Sequence, residues 1–257
     1  MSPLESLTAN PWLSWLLAAA VFVLAGTVKG VVGLGLPTIA MALLALLMSP
    51  AQAAALLIVP SLVTNVWQLR PWGSLGPMSR RLAPMQAGTC VGTLAGAWVL
   101  GAPVGAWATV SLGVALMAYA AWGLSGARFK VGLRAEQRVG PWVGVATGLV
   151  TAATGVFVIP AVPYLQALGF DRDELLQAMG ISFTVSTVAL AAGLSLNAGY
   201  SSAALGMSLV MLLPALVGMQ AGQWLRQKLS PTVFRKCFMA SLVLLGAHMV
   251  GRELLTG

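Results

Sequence analysis

Apolar positions in this chain do not alternate with polar ones. They run continuously and are interrupted at intervals by proline, glycine or a few charges. Read between those interruptions, the pattern predicts five helical segments near 12–33, 36–48, 51–69, 82–101 and 104–125, then five more near 140–156, 158–169, 174–196, 202–225 and 233–251. Crossing the hydrocarbon core of a bilayer takes about 20 apolar residues. Most of the runs reach that length, and the second in each half falls short. Backbone amides in a bilayer must be satisfied internally, which leaves helices or closed barrels, and continuous runs select helices. Each short segment follows a break, Gly33-Leu34-Gly35-Leu36-Pro37 in one half and Gly155-Val156-Phe157-Val158-Ile159-Pro160 in the other.

Composition strengthens this picture. Of 257 residues, 58% are hydrophobic and 8% charged, against about 25% charged in soluble domains, so lipid is the expected solvent for most of the chain. The net charge of +8 does not indicate nucleic acid, because the basic residues sit in short gaps between apolar runs, as topology rules place them. Glu5 is the one charge before Lys29. A cleaved signal peptide carries a basic leader, so the first run is expected to stay in the mature protein. Cys90 and Cys237 lie inside apolar runs without metal-ligand spacing. They are expected to be packing residues, with neither metal nor cofactor.

The two halves repeat one another. An offset of 122 places Gly26 on Gly148 and Gly33 on Gly155, and sets Ser49-Pro50-Ala51-Gln52 on Asp171-Arg172-Asp173-Glu174. Both four-residue stretches have the form of an N-cap opening the third helix. An offset of 126 aligns Gly92, Ala95, Gly96 and Trp98 with Gly218, Ala221, Gly222 and Trp224, so G-x-x-A-G-x-W occurs once per half. Charges then orient the chain. Arg70, Arg80 and Arg81 follow the third segment, Arg128, Lys130, Arg134 and Arg138 fill the centre, and Arg226, Lys228, Arg235 and Lys236 bracket the last gap. Those gaps are expected in the cytoplasm. The gaps at Gly101–Gly105 and Asn197–Ser202 carry no charge and are expected outside with both termini, Arg252 being a mild counter-signal. The expected organisation is all-α: a first repeat at 1–125, a basic cytoplasmic linker at 126–139 and a second, inverted repeat at 140–257. Inverted repeats with interrupted helices are common in secondary transporters.

The stretch Ala25-Gly26-Thr27-Val28-Lys29-Gly30-Val31-Val32-Gly33-Leu34-Gly35-Leu36-Pro37, its echo from Thr147 to Pro160 and the paired G-x-x-A-G-x-W helices resemble the TauE/SafE sulfite exporter family over nearly the full length. The resemblance implies a multi-pass bacterial inner-membrane exporter of sulfite, sulfoacetate or a related small anion, built from two repeats around a central site. The second repeat departs from the first, with Thr151 where Lys29 would fall and Phe157 where Gly35 would, so the site is expected to be asymmetric. The partners expected are a small anion and the bilayer, with a homodimer as the candidate assembly.

Lys29 is the candidate anion-binding charge, since a cation inside an apolar run usually faces a cavity or a partner; snorkelling to an interface is the alternative. Thr27, Gly30, Gly33 and Gly35 flank it. These glycines fit either close helix packing or an unwound segment that turns amides and a helix N-terminus toward an anion. Hydroxyls and amides cluster on the third segments, at Ser61, Thr64, Asn65 and Gln68 and at Ser182, Thr184, Ser186 and Thr187. Asn65, Gln68, Ser186 and Thr187, with Thr154 and Gly155 at the second break, complete the candidate set. Interhelical glue is the competing role for each. His248, the sole histidine, reads as structural, and Trp12, Trp15, Trp72, Trp142 and Trp224 as interface anchors. The central linker is expected to rest on anionic headgroups. All six acidic residues are expected in termini or turns, which makes a coupling ion optional. An intramembrane enzyme would need a nucleophile and base at depth, which the sequence does not offer. An anion channel and a non-transporting scaffold are the remaining alternatives.

Overall fold

The structure is a computed structural model that describes residues 11–126, 129–197, 202–228 and 230–256. Glu5, Arg128 and the middle of the predicted 197–202 turn lie outside the described residues. The first half folds into α1 (Pro11–Val32), α2 (Leu36–Leu44), α3 (Pro50–Trp67), a 3-10 turn (Trp72–Ser74), α4 (Leu75–Leu100) and α5 (Ala106–Ser125). The second folds into α6 (Leu133–Thr154), α7 (Ala161–Ala167), α8 (Arg172–Leu196), α9 (Ser202–Leu225) and α10 (Pro231–Thr256). No strand occurs among the described residues. Helices α1, α3, α5, α8, α9 and α10 are long and apolar enough to cross a membrane.

Local chemistry explains the boundaries. At α3 the Ser49 hydroxyl accepts from the Gln52 N–H at 3.3 Å, and the Gln52 side chain accepts from the Ser49 N–H at 3.1 Å. At α8 Asp171 accepts from the Glu174 N–H at 2.8 Å, and Glu174 accepts from the Asp171 N–H at 3.1 Å. Each reciprocal box satisfies donors that a helix start leaves orphaned, and each stands at one of the two stretches read as N-caps in the sequence. α1 stops because Gly33 and Gly35 take φ of +83° and +113°, values costly for a residue with a Cβ. Gly155, φ +70°, ends α6 in the same way. At 1.5 Å per residue, α2 and α7 rise only about 14 and 10 Å, too little to cross.

The polar ends of two helices differ from expectation. α4 begins at Leu75 rather than near 82, and α6 begins at Leu133, inside the predicted linker. Hydropathy registers only the part of a helix that meets lipid, and both helices continue beyond it as polar turns. There Glu136 departs from its predicted place in a turn. It lies in the first turn of α6, 6% exposed, and accepts two 2.8 Å hydrogen bonds from Arg81 of α4. Upstream, the Val131 N–H donates to the Ala167 carbonyl at 2.8 Å, tying the linker to α7. Cys237 also departs from expectation: it is exposed on α10, whereas Cys90 is half-buried.

Glycine faces set the main pairings. α1 packs along α9, and α4 along α6. A Cβ built on Gly92 would stand 2.2 Å from the Val145 carbonyl oxygen, and one built on Gly218 would stand 2.0 Å from that of Val23. Backbones can approach this closely only where both helices carry small residues. Contacts advance in step along both members of each pair, Gly26 with Ala215 then Gly30 with Met219, and Gly88 with Pro141 then Gly92 with Val145, so both pairs are parallel. α5 and α10 pack antiparallel through Gly113 and Gly246. α3 lies on α8, α9 also touches α3, and α4 also touches α8. Exchanging the two sets of five helices reproduces every one of these pairings.

Arg70 and Arg226 line one cavity, Arg172, Arg226 and Arg235 a second, and Arg80 and Arg81 a third, so most of the basic residues gather at one end of the bundle, with Arg252 near the far end of α10. α1 reaches that end with its C-terminus and α10 leaves it from its N-terminus. The described chain therefore starts and finishes at the other end.

Candidate functional site

Lys29 occupies the last turn of α1, is 2% exposed, and is held by α3. Its Nζ donates to the Thr64 hydroxyl at 3.0 Å and to Asn65 Oδ1. Asn65 Nδ2 donates onward to the Thr187 hydroxyl of α8 at 3.4 Å, and that hydroxyl donates to the Phe183 carbonyl at 2.6 Å. Asn65 and Thr187 fall on one another at the sequence offset of 122, and the chain of bonds crosses where α3 meets α8. Both partners of the ammonium are neutral oxygens, and among the described residues no carboxylate forms an ion pair with Lys29. Two of its three N–H donors are used, and one remains.

Pro60 shapes the stretch of α3 behind this cluster. It has no N–H to give to the Leu56 carbonyl. Ser208 of α9 fills the gap: its hydroxyl donates to the Leu56 carbonyl at 2.7 Å and accepts from the Val59 N–H at 3.0 Å. One further turn along, the Thr64 hydroxyl donates to the Pro60 carbonyl at 2.7 Å, which aims its lone pairs at Lys29.

Toward the basic end the ammonium borders a cavity of about 780 Å³, lined among others by Gly33, Gln68, Arg70, Asp173 and Arg226. Gln68 Nε2 donates to the Gly33 carbonyl, so α3 fastens the interrupted backbone, while its buried Oε1 has no partner. Arg70 stacks 4.4 Å above Trp67. Gln177 of α8 braces the loop that carries Arg70, donating to the Leu69 and Pro71 carbonyls at 2.8 and 2.7 Å. On the closed side of Lys29, Ser61, Thr64 and Asn65 are fully buried.

The structure thus brings together Lys29, Gly30, Gly33, Gln68, Asn65 and Thr187 of the candidate set, with Ser186 buried beside Thr187. The others have local roles. The Thr27 hydroxyl donates to the Val23 carbonyl at 2.8 Å, and its own carbonyl packs on Gly222. Gly30 borders the cavity and also packs on Met219, while Gly35 starts α2 against Val28 and Phe238. Thr154 closes α6, accepting from the Val156 N–H at 3.1 Å, and Gly155 rests on Met41. Thr151, at the position equivalent to Lys29, donates to the Thr147 carbonyl at 2.7 Å. His248 is exposed on α10. Arg70, Arg226 and Asp173 were visible in the sequence only as loop or helix-end charges; each falls within about a turn of a helix end at the basic side.

The arrangement can bind an anion. It offers one buried cation with a free donor at the floor of a cavity, two arginines nearer the mouth and a fixed set of neutral oxygens behind. The model of the family described as Sulfite exporter TauE/SafE matches residues 18–249. Comparison with curated proteins and with solved structures gave no match. With a family match spanning nearly the whole of an all-helical, membrane-spanning chain, this multi-pass protein belongs to the TauE/SafE sulfite exporter family of membrane transporters.

Proposed function

We propose that the chain is a secondary carrier exporting small sulfur-containing anions, sulfite or an organosulfonate such as sulfoacetate, across a bacterial inner membrane. The observation that carries this reading is Lys29, a cation buried at the floor of a cavity whose mouth holds Arg70 and Arg226. A sulfite or sulfonate group presents several acceptor oxygens, which match the free ammonium donor and the planar donor forks of arginine. In this reading the basic end faces the cytoplasm, both termini face the periplasm, and the two sets of five helices are inverted repeats; the exchange of pairings and the matching capping boxes support that. The buried layer of Ser61, Thr64 and Asn65 closes the cavity at Lys29, which favours a carrier over an open channel.

The test is ligand-dependent thermal stabilisation in detergent with sulfite, thiosulfate, sulfoacetate and carboxylate controls, followed by flux in proteoliposomes. A ligand at a hundred times its Kd stabilises by about 2.7 kcal/mol. Sulfite or sulfoacetate should raise the melting temperature of the parent, and Lys29→Ala should abolish that rise and lower flux at least roughly tenfold. Unchanged flux in Lys29→Ala would remove the site, and stabilisation by carboxylates alone would reassign the substrate.

A further inference from the structure

At the end opposite the basic one lies a further cavity, of only about 10 Å³, bordered among others by Thr93, Ala97, Ala152, Leu190, Gly193 and Asn197. The repeat offsets map it onto the large cavity. An offset of 122 carries Gly30, Gln68 and Pro71 of the large cavity to Ala152, Leu190 and Gly193 of the small one, and an offset of 126 relates Met219 and Gln223 to Thr93 and Ala97. The two are equivalent places in the two halves, one open and one shut.

What shuts the second is visible. Asn197 Nδ2, at the end of α8, donates to the Ala97 carbonyl of α4 at 2.9 Å and to the Gly193 carbonyl at 3.1 Å. A Cβ built on Gly193 would stand 3.0 Å from the Ala97 Cβ, and one built on Gly96 would stand 2.7 Å from that of Ala152. Within this contact the Thr93 hydroxyl is fully buried without a hydrogen-bond partner, a state that costs free energy and is uncommon in native interiors. A polar group left unsatisfied in one state is relieved in another that admits water or an anion.

We infer that this closed pocket is the exit vestibule of the anion path, opened when α8 parts from α4 and α6 and the large cavity shuts. Asn197 is its latch, and the Thr93 hydroxyl is its first donor to the departing anion. The inference rests on the carrier reading above and adds the identity of the second gate. The two vestibules differ in charge: Lys29, Arg70, Arg226 and Asp173 border the entry, whereas among the described residues no charged one borders the exit. An anion is therefore gathered at the basic end and released where little holds it.

The test uses the full chain in proteoliposomes, with Cys90→Ala and Cys237→Ala as background. Cysteines are placed at Ala97 and Gly193, whose separation a disulfide can bridge with a shift of a few tenths of an ångström. Sulfoacetate flux after oxidation with copper phenanthroline is expected to be at least tenfold below that of the same sample after reduction. Equal flux in the two redox states overturns the exit assignment while leaving transport itself established. Thr93→Cys gives a reading independent of flux. A membrane-impermeant cationic methanethiosulfonate, applied from the face opposite the basic end, should modify it, and no modification with or without sulfoacetate overturns the inference. A parent chain that carries no flux would sink the carrier reading alone, and the Thr93→Cys labelling would still decide whether the vestibule opens.

Discussion

The Lys29 ammonium is usable because what surrounds it is polar but uncharged. Had Asn65 been an aspartate, the cation would be spent on an internal ion pair. Asn65→Asp is therefore expected to preserve the fold while weakening sulfite or sulfoacetate stabilisation at least roughly tenfold, equivalent to about 1.4 kcal/mol; full-strength binding in that variant would show that Lys29 does not meet the anion. Ser208 makes a different kind of contribution. Removing its hydroxyl strands the Leu56 carbonyl and the Val59 N–H beside Pro60, and a buried group left unpaired costs about 1–3 kcal/mol. Ser208→Ala should lower the apparent melting temperature without changing which anion stabilises the protein, and an unaltered melting curve would mean water repairs the kink. That Lys29 and Asn65 fall in the apolar interior was legible in the sequence, because each stands inside an apolar run. Arg70, Arg226 and the Ser208 contact were not. They depend on helices far apart in the chain converging on one cavity or one kink, and no local pattern encodes that convergence.

Helix by helix, the runs of apolar residues placed all ten elements near their observed positions, since hydropathy reports the length in lipid and Gly or Pro reports the interruptions. It missed the polar first turns of α4 and α6, which the pair of exposed Arg81 with buried Glu136 holds in helix beyond the apolar stretch. The glycines posed two alternatives, packing or unwinding, and they divide by position. Gly26 and Gly30 abut α9, whereas Gly33 and Gly35 take the positive φ of the break. Gly92→Val and Gly218→Val should each push a side chain into a facing carbonyl, Val145 or Val23. Overpacking of this kind costs typically about 1–3 kcal/mol, so both should lower the melting temperature to a similar extent. Gly76→Ala, with nothing within 4 Å of a new Cβ, is the control and should leave stability unchanged or slightly raised. If Gly92→Val were neutral while Gly218→Val unfolded the chain, the proposal that the two halves are equivalent repeats would fail.

Across the whole molecule the distribution of charge decides what drives transport. Most of the basic residues collect at one end, Lys29 is the one buried cation among the described residues, and the one carboxylate bordering its cavity among them is Asp173, in the first turn of α8. Many proton-coupled carriers work through a carboxylate that moves with the substrate, and among the described residues none pairs with Lys29. The membrane potential remains. A singly charged sulfonate bound to Lys29 makes the loaded site neutral, the return leg carries the bare cation, and one full cycle moves a single negative charge away from the basic end. At 100 mV that charge is worth about 2.3 kcal/mol, enough for a roughly fiftyfold concentration ratio. In proteoliposomes clamped by a potassium gradient and valinomycin, methanesulfonate should accumulate on the side opposite the basic end when the basic side is made negative, with no pH or sodium gradient imposed. Asp173→Asn should retain this dependence. Flux that ignores the clamped potential and follows a pH gradient instead would mean a proton travels with the anion, and the loss of that flux in Asp173→Asn would name the group that carries it.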